Sequence, residues 1–249
     1  MIASLPMYDR PETAGAHDRY WHHIKQALAD HGIDAPDRLT RDADVWDVWR
    51  ARDLVLAQTC GLPYRARLHG AVDLVGTPDY GLPDAPAGYY HSEIVIRADD
   101  PRDRLDAFGA ATLAYNEALS QSGWAAIAAT GARFGTVLQT GAHRASASAV
   151  AEGRADIAAL DAVTWRDLAR YEPALSARLR VLDRTAPTPG LPYITALGRD
   201  AQTHADAVAA AIVALAPADM DTLHLSGLTQ ISAADYLAQP LPPPPRGSA

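Results

Sequence analysis

Apolar positions along this chain recur at two spacings, one close to every second residue and one close to every 3.6, and the two alternate from end to end. Ile2 to Leu5 opens as a strand and stops at Pro6-Met7-Tyr8-Asp9. Tyr20, Trp21, Ile24 and Leu28 share one face of a helix over about 17–31, with Gly32 placed to end it. A short helix is predicted over 40–52, from Val45, Trp46 and Trp49. Strands follow at 54–59, bounded by Cys60-Gly61-Leu62-Pro63 as a loop, at 71–76 and at 91–97, and Asp100-Pro101 reads as a helix start. Further strands are expected at 112–115, 134–139, 155–160, 179–182 and 191–197. Helices are expected at 124–130, from 143 to about 152, at 163–171, at 201–215 and at 231–237, before a proline-rich tail over 240–249.

Regular alternation of strand and helix predicts an α/β architecture with mostly parallel sheets covered on both faces, and two such series in 249 residues predict two small lobes. In open α/β sheets ligands bind beyond the carboxyl ends of the strands. The residues directly after each strand are therefore where function is sought.

Composition narrows the choice. Hydrophobic residues make up 48% and charged residues 21%, ordinary globular usage. The net charge is −8 and lysines and arginines do not cluster, which argues against a nucleic-acid partner. An anionic ligand remains compatible, because backbone amides in a cleft bind anions whatever the global charge. No stretch approaches a membrane span, so no membrane insertion is expected. The first residues carry neither a basic region nor a long apolar one, which predicts a cytoplasmic chain as written, or a periplasmic one if a leader has been removed. Cys60 is the single cysteine, so no intrachain disulfide can form.

The strand ends carry the candidate chemistry. Ser120, Gln121 and Ser122, followed by Gly123, sit at a helix start, where backbone N–H groups lack intrahelical partners and the dipole favours negative charge. They read either as an oxyanion site or as an ordinary serine cap. His143 begins the next helix and reads as a donor to a ligand oxygen or as a surface or capping histidine. Asp161 ends a strand; it would accept a hydrogen bond from a protonated oxyanion or an amine, or cap the helix 163–171. Tyr8 reads as a ligand contact or a core aromatic, Thr59 and Cys60 end another strand, and Thr188 lies on a later connection. Cys60 with His143 is also weighed as a nucleophile and base, against a small buried thiol. His17, His22 and His23 do not share a helix face, so no metal is expected. No Walker-type nucleotide loop is present, and no cofactor is implied.

The order of these motifs carries a resemblance. Ala3-Ser4-Leu5-Pro6-Met7-Tyr8, the loop from Asn116 to Gly123, Gly141-Ala142-His143-Arg144-Ala145-Ser146 running into Ala149 to Ala158, Asp161, and the proline-rich stretch from Thr185 to Pro192 follow one another as in the phosphonate/phosphate-binding proteins of ABC importers. The chain resembles that family over nearly its whole length. It departs from it in its first residues, which do not read as a leader, and in Gln121, which stands where a small hydroxyl residue is often found. The resemblance implies a periplasmic-binding-protein-like type II fold with two crossing segments, lobe one at 1–88 plus 189–249 and lobe two at 89–188. It implies a solute-binding protein without catalysis, a monomer whose ligand is a small oxyanion (phosphonate, phosphate or phosphite) and whose partner is an ABC permease. The competing readings are an enzyme on the same fold, similar to the synthases of thiamin pyrimidine precursors, and a cytoplasmic small-molecule sensor.

Overall fold

A computed structural model describes residues 1–245. In chain order its strands are β1 (Ile2–Ser4), β2 (Leu54–Gln58), β3 (Val72–Asp79), β4 (Tyr89–Tyr90), β5 (Ser92–Arg97), β6 (Thr112–Tyr115), β7 (Thr136–Gln139), β8 (Ile157–Asp161), β9 (Leu179–Arg184), β10 (Thr188–Pro189), β11 (Tyr193–Ala196) and β12 (Gly227–Thr229). The chain divides into two compact units, one of Met1–Tyr89 with Pro189–Gln239 and one of Tyr90–Thr188 with the described residues from 240 onward. β4 and β10, where the chain passes from one unit to the other, are paired.

The first unit is built on a sheet of order β1-β2-β11-β3-β12. β1 and β2 are parallel, whereas β11 runs antiparallel to both β2 and β3, and β12 antiparallel to β3. The apolar run of β2 is buried along its whole length, because both faces of the sheet are covered. On one side the helix Ala14–Asp30 buries Tyr20, Trp21, Ile24 and Leu28 and packs beside the helix Ala201–Ala214. On the other, Trp49, Leu54, Tyr64, Leu68, Ile194 and Tyr236 form a continuous apolar cluster.

The second unit has a sheet of order β7-β6-β8-β5-β9. Its strands sort their side chains at a period of two. Ile94, Ile96, Leu113, Tyr115, Ile157 and Ala159 face one layer with Phe108, Trp124 and Ile127. Val95, Ala114, Ala158 and Leu160 face the other with Ala147, Val150 and Leu168. β6 is parallel to β7 and β8, but β5 runs against β8 and against β9.

Both sheets are thus mixed rather than mostly parallel. The antiparallel strands β5 and β11 are the first five-stranded-sheet strands after each passage between units. A strand entered from the carboxyl-end side of its neighbours has to run against them.

Local competition explains the other departures from the sequence pattern. Between 33 and 44 no helix forms; the Thr40 N–H bonds the Ala3 carbonyl at 2.7 Å, tying this segment to β1, and only Val45–Trp49 is helical, capped by the Asp44 carboxylate. Asp100 starts no helix, because its carboxylate accepts from the Arg102 backbone N–H at 2.9 Å and from the Arg102 guanidinium at 2.5 Å. Only a single 3-10 turn, Leu105–Phe108, follows. The stretch read as the loop after Cys60 is helical over Gly61–Pro63 and continues as a π-helix, Tyr64–Leu68. Proline is tolerated there because first-turn N–H groups have no helical acceptor to lose. The helix Pro217–Leu223 and strand β12 carry too little periodicity to be read from sequence.

Candidate functional site

In the second unit the carboxyl ends of β6, β7 and β8 lie along one edge of the sheet, since these strands are parallel. Each is followed by a candidate residue. Asn116 comes directly after β6 and leads to Ser120, whose hydroxyl accepts from the Gly123 N–H at 2.9 Å and caps the helical turn Gln121–Ala125. That turn has π spacing and continues as the helix Ala126–Ala129. β7 leads to the helix His143–Ala151, and β8 ends at Asp161.

Ser122 and His143 meet directly: Ser122 Oγ and His143 Nε2 are hydrogen-bonded at 2.8 Å. His143 Nδ1 is buried and has no well-formed hydrogen bond among the described residues. Burial pushes the imidazole down to about 4, against a smaller opposing effect of the Ala159 backbone. The ring is therefore neutral near pH 7, with one N–H donor and one acceptor nitrogen.

Gly123 makes this arrangement possible. A Cβ there would stand 1.9 Å from Asn116 Oδ1 and 3.2 Å from His143 Cε1. The Asn116 side chain occupies that space, and its Oδ1 is buried with no hydrogen-bond partner among the described residues. Ser92 Oγ donates to the Ser122 carbonyl at 2.9 Å, so the turn is also pinned from β5. Gln121 is buried beside these groups.

Asp161 is placed as a helix cap. Its Oδ1 accepts from the N–H of Val163 at 2.8 Å and of Thr164 at 3.1 Å, at the start of the helix Ala162–Tyr171. Its α-carbon is the register partner of Ser92, at the same sheet edge as the serine turn.

In the first unit Tyr8 follows β1 and stacks edge-on against Tyr80, with ring centroids 5.1 Å apart. Thr59 follows β2; its N–H bonds the Pro192 carbonyl at 3.0 Å, and its buried Oγ1 has no partner among the described residues. Cys60, a half-buried thiol in no disulfide, precedes Gly61–Pro63 as its N-cap residue. Gln58 donates to the Tyr80 hydroxyl at 2.8 Å, and burial pushes the Tyr193 hydroxyl up to about 12. Tyr8, Tyr20, Tyr80, Tyr193, Gln58 and His17 line an internal space of about 10 Å³. Thr188 is in β10, half-buried.

Sequence reasoning singled out Ser120, Gln121, Ser122, His143 and Asp161, and all five lie along one sheet edge of the second unit. It passed over Ser92 and the roles of Asn116 and Gly123. Asn116 was within reach, because it directly follows a strand. Ser92 was not, because it begins its strand. Only the antiparallel direction of β5 brings that beginning to the edge where β6 and β8 end.

Comparison with known proteins gives the family and the fold. Residues 51–236 match the family described as "ABC transporter, phosphonate, periplasmic substrate-binding protein", and the chain belongs to that family. No curated protein matches the sequence. Among solved structures it is similar to PhnD1 from Prochlorococcus marinus in complex with methylphosphonate, with a TM-score of 0.70 at 14% identity, over 94% of each chain. A binding protein component of an ABC phosphonate transporter from Pseudomonas aeruginosa gives 0.67 at 14% identity, over 95% of this chain and 82% of that one. XAC2383 from Xanthomonas citri, bound to chloride, gives 0.66 at 18% identity, over 94% and 92%. The fold is that of the type II periplasmic binding proteins. This is a substrate-binding protein of an ABC transporter, from a periplasmic family, and no helix among the described residues is long and apolar enough to cross a membrane.

Proposed function

We propose that this protein binds a small phosphonate or phosphate-type oxyanion without chemically changing it, and delivers it as a periplasmic monomer to an ABC permease. The observation that carries the reading is the contact of Ser122 with His143 at 2.8 Å, at the first turn of a helix that follows a strand end. There two side-chain donors and first-turn N–H groups share one place, which suits an anion with several acceptor oxygens. Tyr8, Thr59, Cys60 and Thr188 are the remaining candidate ligand contacts. Asp161 would join through a proton on the ligand, its Oδ1 being engaged in the cap.

Binding is favoured over hydrolysis by the state of His143. A general base that activates a serine is oriented through its other ring nitrogen by a third group. No carboxylate hydrogen-bonds the His143 ring among the described residues.

Calorimetric titration with methylphosphonate, phosphate, phosphite and sulfate tests the assignment. One of the first three is expected to bind, with affinity falling about tenfold or more in Ser122→Ala and in His143→Ala, since each removes a hydrogen bond to a charged group. Binding of a heterocycle or amine with no response to any oxyanion would overturn it, as would release of a product from the bound ligand.

A further inference from the structure

Beyond the helix Ala233–Leu237 the chain reaches the second unit, where the Pro243 carbonyl accepts a hydrogen bond from Trp124 Nε1 at 2.8 Å. Trp124 belongs to the turn that carries Ser122. Its ring lies 5.4 Å from that of Tyr115, within the apolar layer of Ile94, Phe108 and Ile127. Its backbone N–H and that of Ala125 both bond the Ser120 carbonyl, at 3.3 and 3.0 Å. This doubled acceptance gives the turn its wide π spacing. Such turns are rare, so the side chains that hold this one matter to its shape.

The acceptor is suited to the task. Residues 242 to 245 are four consecutive prolines. Proline has a fixed φ and no N–H, so the segment is extended in advance and loses little entropy on docking. An indole edge that offers one N–H beside an apolar face is a common platform for such a segment.

We propose that the C-terminal proline segment is part of the binding element, with Pro243 and Trp124 as positioning residues that hold the Ser120–Ala125 turn in register with His143. The effect on ligand affinity rests on the function proposed above; the effect on the turn does not.

Three variants test this: a chain ending at Gln239, a control chain ending at Pro245, and Trp124→Phe, which keeps an aromatic ring and removes the N–H. Amide hydrogen exchange over 121–125 is followed in each without ligand, and methylphosphonate binding is measured by calorimetry. The chain ending at Gln239 and Trp124→Phe are each expected to exchange these amides, and to release methylphosphonate, about fivefold more readily, the size of one hydrogen bond. The two changes combined are expected to add nothing further, because both delete the same bond. The chain ending at Pro245 is expected to match the full-length protein. Unchanged exchange in the chain ending at Gln239, or additive effects of the two changes, would overturn the proposal. If the full-length protein binds no oxyanion, the functional reading fails, and the exchange rates still decide the positioning role.

Discussion

His143 has a serine hydroxyl on one ring nitrogen and burial around the other, and its protonation therefore opposes folding. The folded imidazole titrates at about 4 and the unfolded one near its ordinary value of 6.5. As pH falls below about 6.5 the unfolded chain takes up this proton first. The stability associated with a neutral His143 is complete above that pH and is lost progressively down to about pH 4. Urea melts at pH 7 and pH 4.5 are expected to show the wild type losing roughly 2 kcal/mol more than His143→Asn, which lacks the titrating ring. Gly123 makes the complementary case. An added methyl must displace Asn116 Oδ1, 1.9 Å from where it would stand, and press on the His143 ring. Gly123→Ala is expected to destabilise the protein by about 1–3 kcal/mol in the same melts and to weaken oxyanion binding more than Ser120→Ala does.

At the scale of the element, the contest is over who satisfies a helix start. Asp161 spends one carboxylate oxygen on two N–H groups of the helix Ala162–Tyr171. Asp161→Ala is expected to lower stability by about 1 kcal/mol, whereas Asp161→Asn, an equally good cap, is expected to stay within about 0.5 kcal/mol of wild type in thermal melts. A drop in ligand affinity in Asp161→Asn without a drop in stability would identify a contact beyond the cap. Asp100 shows the opposite outcome. Its bonds with Arg102 hold its carboxyl at about 2, and Arg102 also reaches Asp156 at 3.1 Å, so a cap-like sequence becomes a loop anchor instead.

For the whole molecule, ligand binding and folding are one equilibrium. A ligand that binds only the native state adds about 2.7 kcal/mol of stability at a hundred times its dissociation constant. For a chain of this size that corresponds to a rise of roughly 5–10 °C in the melting midpoint. Differential scanning fluorimetry with the oxyanion that titrates by calorimetry is expected to show this rise, and to show none with sulfate if the site selects against it. The rise should shrink in Ser122→Ala, and the ligand-free midpoint should fall as well, because the substitution takes away the hydroxyl of a buried serine, the 2.8 Å partner of His143 Nε2.

The alternation of apolar spacings was enough to define the α/β class and most strands within a residue or two, because period two and period 3.6 are properties of single segments. β6 and the start of the helix Ala201–Ala214 fall where the pattern places them, and the motif order from Ala3 to Pro192 pointed to the family. The candidates at strand ends followed from the general rule that sheets present the ends of parallel strands to ligands. Tertiary structure alone decided what depends on neighbours distant in sequence. The directions of β5 and β11 are fixed by where the chain enters each sheet, and that direction brings Ser92 to the serine turn. The fit of Asn116 over Gly123, the loss of the Asp100 helix to Arg102, and the docking of Pro243 on Trp124 each arise from contacts that no local periodicity encodes.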